Sequence, residues 1–152
     1  GGYIAAPAWI AKGCDKIQGQ FTSATSSITQ KAMQAAMELD PKTIEPMCKE
    51  FLKRRDMVLA LMNDIPGLRL NVPQGAFYVF PDVSYYFGKT YDGKTIKSGT
   101  DLCMFLLDKA HVAIVPGEAF GDDRYIRFSY ATSSDRLTEA LKRMKTALAE
   151  LK

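Results

Sequence analysis

The segment RYIRFSY, Arg124 to Tyr130, constrains the fold more than any other. Read as a strand, it turns Ile126, Phe128 and Tyr130 to one face and Tyr125, Arg127 and Ser129 to the other, because side chains alternate along an extended chain. The first face is apolar and must be covered. A cover follows at once: Leu137, Leu141, Met144, Leu148 and Leu151 recur at spacings of four and three, the stripe of an amphipathic helix started by Ser133 or Ser134. A strand with one apolar face beside a helix with one apolar stripe predicts a small sheet with helices packed on it.

The rest of the chain extends this layer. GYIAAP reads as a short buried strand, and AWIAKGCDKIQGQF as a helix after Pro7. Ser27 with Gln30 predicts a capping box ahead of the helix formers ITQKAMQAAMEL. Asp40-Pro41 breaks that helix, and Thr43 is expected to cap a longer one with Pro46 in its first turn and Met47, Phe51, Leu52, Val58, Leu59 and Met62 on its apolar face. LRLN and GAFYVFPD read as strands, SYYFGKTYDGKTIKSG as a surface loop or flap, TDLCMFLLDKA as a helix capped by Ser98 or Thr100, and HVAIV as a buried strand. The class is α/β or α+β, with a small mixed sheet preceded by a long helical spine. Three segments are expected: 1–26, a spine over 27–66, and a small α/β domain over 67–152.

Composition narrows the function. Hydrophobic residues make up 47% and charged residues 24%, which excludes a disordered or collagen-like chain. The 20 basic and 17 acidic residues are interspersed and KRR at 53–55 reads as a solvated helix face, so no nucleic-acid partner is expected. No apolar run reaches the roughly 18 residues of a membrane span, and no membrane partner is expected. Cys14, Cys48 and Cys103 are odd in number and far apart, which fits a reducing cytoplasm better than a disulfide framework. The only histidine, His111, sits at a helix-to-strand junction, and no cysteine pair has zinc-ligand spacing, so no metal site is expected.

Arg127 is the residue that apolar packing does not explain. It either stands on a solvent face, paired with Asp122 or Asp123, or points into a cleft and grips a carboxylate through two parallel charge-assisted N–H bonds, each worth roughly 1.5–3 kcal/mol. Spacing leaves both readings open.

Four segments occur in an order that resembles one family: GYIAAP, QGAFYVFPD at 74–82, VAIVPGEAFG at 112–121 and YIRFSYA at 125–131. Over nearly all of residues 2–152 the chain resembles the C-terminal portion of the class I, fold type I, aminotransferases that depend on pyridoxal phosphate. Among these it is most similar to bacterial aspartate aminotransferases of the aspartate/prephenate subgroup. The resemblance implies transamination between an amino acid, aspartate foremost, and a 2-oxo acid, in a cytoplasmic homodimer. It makes Arg127 the clamp on the substrate α-carboxylate, with an orienting role and no proton transfer, and has VPGEAFG shape the cleft edge. It also makes residues 1–26 a remnant of the large cofactor domain.

The same resemblance places the lysine that bonds the cofactor, and the arginine that holds its phosphate, upstream of GYIAAP. The opening residues read as a cut end, so no catalytic or cofactor-binding residue is expected within this chain, and the chain alone is expected to be inactive. Lys12, Lys31, Lys49, Lys89 and Lys109 lie on polar helix faces or loops, where a lysine keeps its proton and is a poor nucleophile. Two other readings compete. One is a free-standing α/β module that binds an amino acid or carboxylate for regulation, anchored by Arg127; the other is an interaction domain in which Arg127 is merely surface.

Overall fold

A computed structural model describes residues 1–152 and divides them into two units, Gly1–Glu45 and Pro46–Lys152. The division falls inside the expected 27–66 spine. In the first unit, α1 (Ala8–Phe21) begins after Pro7, whose fixed φ suits a helix start, and α2 (Ser27–Glu38) is built from strong helix formers. No side chain of this unit is buried: Trp9, Ile17, Phe21, Ile28 and Met37 are all exposed.

Three local expectations fail here. Residues 1–7 form no strand and are exposed, because strand N–H and C=O groups need a neighbouring edge and this unit contains no other strand. The Ser27–Gln30 capping box does not form. The helix starts one residue early, on Ser26, so Gln30 lies past the box position and its side-chain amide donates to the Thr25 carbonyl at 2.8 Å. Thr43 is not a cap either: Asp40 accepts from the Lys42 N–H at 2.9 Å and starts a 3-10 turn, Pro41–Ile44.

The second unit holds the core. In α3 (Glu45–Asn63), Val58 and Met62 are buried and Phe51, Met57, Leu59 and Leu61 are packed beside them, whereas Met47 and Leu52 stay exposed. The KRR cluster is only partly the solvated face expected: Lys53 is exposed, but Arg54, on Glu50 at 3.0 Å, and Arg55, on Asp56 at 2.7 Å and donating to the Pro73 carbonyl at 3.2 Å, are half-buried. The sheet comprises β1 (Tyr78–Val79), β4 (Val115–Pro116) and β5 (Ile126–Ser129) in the order β1-β5-β4. Both pairings are antiparallel, where a mixed sheet was expected. The β1–β5 ladder is cut short for a chemical reason: the Pro81 carbonyl accepts from the Ile126 N–H at 3.2 Å, but Pro81 has no N–H to return. LRLN contributes only one bridge, Arg69 to Asp82.

The expected flap at 84–99 contains a 3-10 turn, Ser84–Tyr86, and a hairpin, β2 (Thr90–Tyr91) against β3 (Lys94–Thr95), turned through Asp92 and Gly93. Both turn residues have positive φ, 47° and 75°, which is the backbone that an Asp-Gly pair favours. Tyr86 and Ile96 anchor this segment in the core, and the Tyr86 hydroxyl donates to the Pro66 carbonyl. Burial, with Tyr85 adding to it, pushes the Tyr86 hydroxyl up to about 12.

Ser98 caps α4 (Gly99–Ala110) by accepting from the Asp101 N–H at 3.2 Å, and His111 ends it in a left-handed conformation. The stripe of the last helix is buried as its spacing predicts: Leu137, Leu141, Met144 and Leu148, with Leu151 just past the helix end, are each 6% exposed or less. Helices α4 and α5 (Ser134–Ala149) pack together, and α4 also packs on β4 and β5. Burial of each such side chain contributes about 1.5–3 kcal/mol. The fold class is therefore α/β, and no helix is long and apolar enough to cross a membrane.

Candidate functional site

The alternation along β5 is as the pattern predicts. Ile126, Phe128 and Tyr130 are between 0% and 5% exposed, locked into the core, while Arg127 is half-buried on the opposite face. Register decides its neighbours. Val115 of β4 lies directly opposite Arg127, and Tyr78 of β1 lies opposite Ser129. Three of the segments singled out in the sequence thus meet in one three-stranded sheet.

The acids expected near Arg127 are elsewhere. Asp122 receives two bonds from the Arg124 guanidinium, at 3.0 and 2.7 Å, and Arg127 forms no ion pair. Instead, the Arg127 guanidinium carbon lies 4.6 Å from the Phe120 ring centroid and 5.5 Å from that of Tyr78. Phe120 meets Phe80 edge-on at 6.0 Å, and Phe80 stacks flat on Tyr125 at 5.0 Å with ring planes 2° apart. Arg127 is set in an aromatic layer that leaves its charge without a counter-ion.

Phe120 reaches this layer from a 3-10 turn, Gly117–Phe120, fastened to the start of β5. The Gly117 N–H donates to the Tyr125 carbonyl at 2.8 Å, and Thr100 of α4 donates to the Glu118 carboxylate at 2.9 Å. Only glycine fits at two points of this junction. A Cβ on Gly117 would lie 2.4 Å from the Asp122 and Tyr125 carbonyl oxygens, and one on Gly99 would lie 2.6 Å from that of Tyr125.

In the neighbouring 122–125 turn, Arg124 is paired with Asp122, and its charge acts on Asp82 as well. Burial tends to raise the Asp82 carboxyl, but hydrogen bonds from Ser84 and the charges of Arg69 and Arg124 outweigh it and hold the group below the usual carboxylate range. Hydrogen bonds from Arg124 do the same for Asp122.

Sequence reasoning singled out Arg127 and missed the rings. The signal lay in AFYVF, where Tyr78 and Phe80 share a face opposite Val79, but which strand they pair with is a non-local fact.

The lysines of this chain do not fit a pyridoxal phosphate site. Lys12, Lys31, Lys49 and Lys109 are exposed, and half-buried Lys89 lies over the Tyr85 ring at 5.2 Å. Lys109 is shifted upward by its hydrogen bond to Tyr91 and by Asp92, the opposite of what an amine nucleophile requires. His111 is exposed at its helix end, Cys14 and Cys48 are exposed, and Cys103 is a buried thiol pushed up to about 11 by burial.

Residues 1–144 match the family model of aminotransferase class I and II. The chain is 47% identical over 155 residues to a bifunctional aspartate aminotransferase and glutamate/aspartate-prephenate aminotransferase of Petunia hybrida, covering 99% of this chain and 32% of that protein. Among solved structures, an aspartate aminotransferase from Rhizobium meliloti superposes with a TM-score of 0.87 at 42% identity, over 97% of this chain and 37% of that one. An aromatic aminotransferase from Pyrococcus horikoshii superposes at 0.81 with 35% identity, over 96% and 38%. The chain spans about a third of the length of the relatives it matches.

Proposed function

The chain belongs to the class I and II aminotransferase family, and from that premise we propose that it supplies the carboxylate clamp of an enzyme that moves an amino group between an amino acid, aspartate foremost, and a 2-oxo acid. The observation that supports this reading is Arg127: a half-buried guanidinium on a rigid strand, beside two aromatic rings and without a counter-ion. Such a group can offer two parallel N–H bonds to a carboxylate. Holding the α-carboxylate fixes the position of the α-carbon and its amino group, and the rate gain is one of orientation.

Pyridoxal phosphate is the cofactor proposed for the whole enzyme, held by residues other than those of this chain. In that enzyme residues 1–26 belong with the cofactor domain, 27–66 form a connecting spine and 67–152 close on the substrate. A homodimer fits the exposed apolar side chains of residues 1–45, and a cytoplasmic setting fits three free cysteines.

The test is an assay of the complete in-frame polypeptide with L-aspartate and 2-oxoglutarate, beside the 152-residue chain alone. The first is expected to transaminate. The second is expected not to, and not to be labelled by cofactor and borohydride. Stoichiometric labelling with turnover by the short chain would overturn this assignment. Tight binding of L-aspartate by the short chain, abolished by Arg127→Leu, would replace it with a free-standing regulatory module.

A further inference from the structure

We propose that Phe120 is a positioning residue for the clamp: its ring sets the pose of the Arg127 guanidinium, and so tunes carboxylate affinity without touching the substrate. The inference rests on the reading of Arg127 as the clamp. A long arginine side chain with no ion pair has no electrostatic anchor of its own, and ordering it on binding costs rotamer freedom. An acid could hold the group still, but would neutralise it and occupy its donors. An aromatic face attracts the cation and takes up none of its N–H groups.

Phe120 is the nearer of the two rings, at 4.6 Å against 5.5 Å for Tyr78. The residue is 51% exposed, so burial in the core of this chain does not account for its place. The surroundings of Phe120 are built to keep it in place. Its turn is tied to Tyr125 by the Gly117 N–H and to α4 through Thr100 and Glu118, and its ring rests on Phe80, which is stacked on Tyr125. Tyr125 is two residues before Arg127 on the same strand face, so ring and guanidinium are fixed to one frame.

The test is steady-state kinetics of the complete in-frame polypeptide with L-aspartate, for the wild type, Phe120→Leu, Phe120→Trp and Arg127→Leu. Phe120→Leu is expected to raise KM about 5-fold, which is about 1 kcal/mol, and to change kcat by less than about 2-fold. Phe120→Trp, which keeps an aromatic face, restores KM. If Arg127→Leu raises KM about 100-fold while Phe120→Leu leaves it at the wild-type value, the positioning role is refuted and the clamp stands. If Arg127→Leu has no effect, the clamp reading fails and this inference goes with it.

A second measurement needs no variant. In nitrogen-15 NMR of the wild-type chain, the ring currents of Phe120 and Tyr78 shift the Arg127 side-chain Nε–H and Hδ signals away from those of exposed Arg136. Coincidence of the two sets of signals would overturn the proposal whatever the variants do.

Discussion

Two arginines three residues apart lie in opposite circumstances. Arg124, in the turn that leads into β5, is held by both oxygens of Asp122 and is part of a network that includes Asp82 and Arg69. Arg127, at the centre of the strand, has rings in place of acids. The turn shows how this fold spends a charge on its own architecture, and the strand centre shows a charge kept available. An arginine with its acid beside it has completed its electrostatics, whereas one held only by aromatic faces still has donors to offer.

The largest structural effect is expected where turn and strand are joined. Gly117→Ala would drive a Cβ against two backbone carbonyls that cannot rotate away, and is expected to destabilise the second unit by roughly 1–3 kcal/mol in urea unfolding. Gly99→Ala should act through the same junction, against the Tyr125 and Asp123 carbonyls. Wild-type stability in both variants would mean that turn and strand are not rigidly coupled.

A smaller effect concerns acid. Asp82 and Asp122 are both depressed in the folded state, so the stability they contribute is complete above the unfolded aspartate value of about 3.9 and is lost as pH falls through their lower folded values. Melting temperature should therefore drop below about pH 4, and Asp82→Asn should flatten that limb. An identical acid limb in wild type and variant would remove Asp82 from the network. The smallest effect expected is that of Arg124→Leu on catalysis: KM for L-aspartate should stay at the wild-type value. A rise would end the contrast between the two arginines.

Much of the core was legible before the structure. The β5 alternation, the α5 stripe and the Ser98 cap are local patterns, and each is present as expected. What escaped was either a competition between neighbouring groups or a matter of pairing. Asp40 forestalled Thr43 as a cap, and Ser26 displaced Ser27 by one position. The hairpin at 90–95 carried a readable Asp-Gly turn, but its tyrosines and glycines gave it the look of a loop. Strand pairing was less accessible, because the antiparallel sheet and the strandless 1–7 depend on which edges are present. For the same reason Arg127 could be named from sequence, whereas its rings could not: Tyr78 and Phe120 lie 49 and 7 residues away along the chain and meet it only through the sheet register and the 117–121 turn.

The most direct test of Arg127 as the carboxylate clamp is the KM for L-aspartate in Arg127→Leu, measured in the complete in-frame polypeptide with its melting temperature recorded alongside. Loss of two charge-assisted bonds predicts a rise of about 100-fold or more in KM, with the melting temperature within about 2 °C of wild type. An unchanged KM in a variant that melts like the wild type would contradict the account.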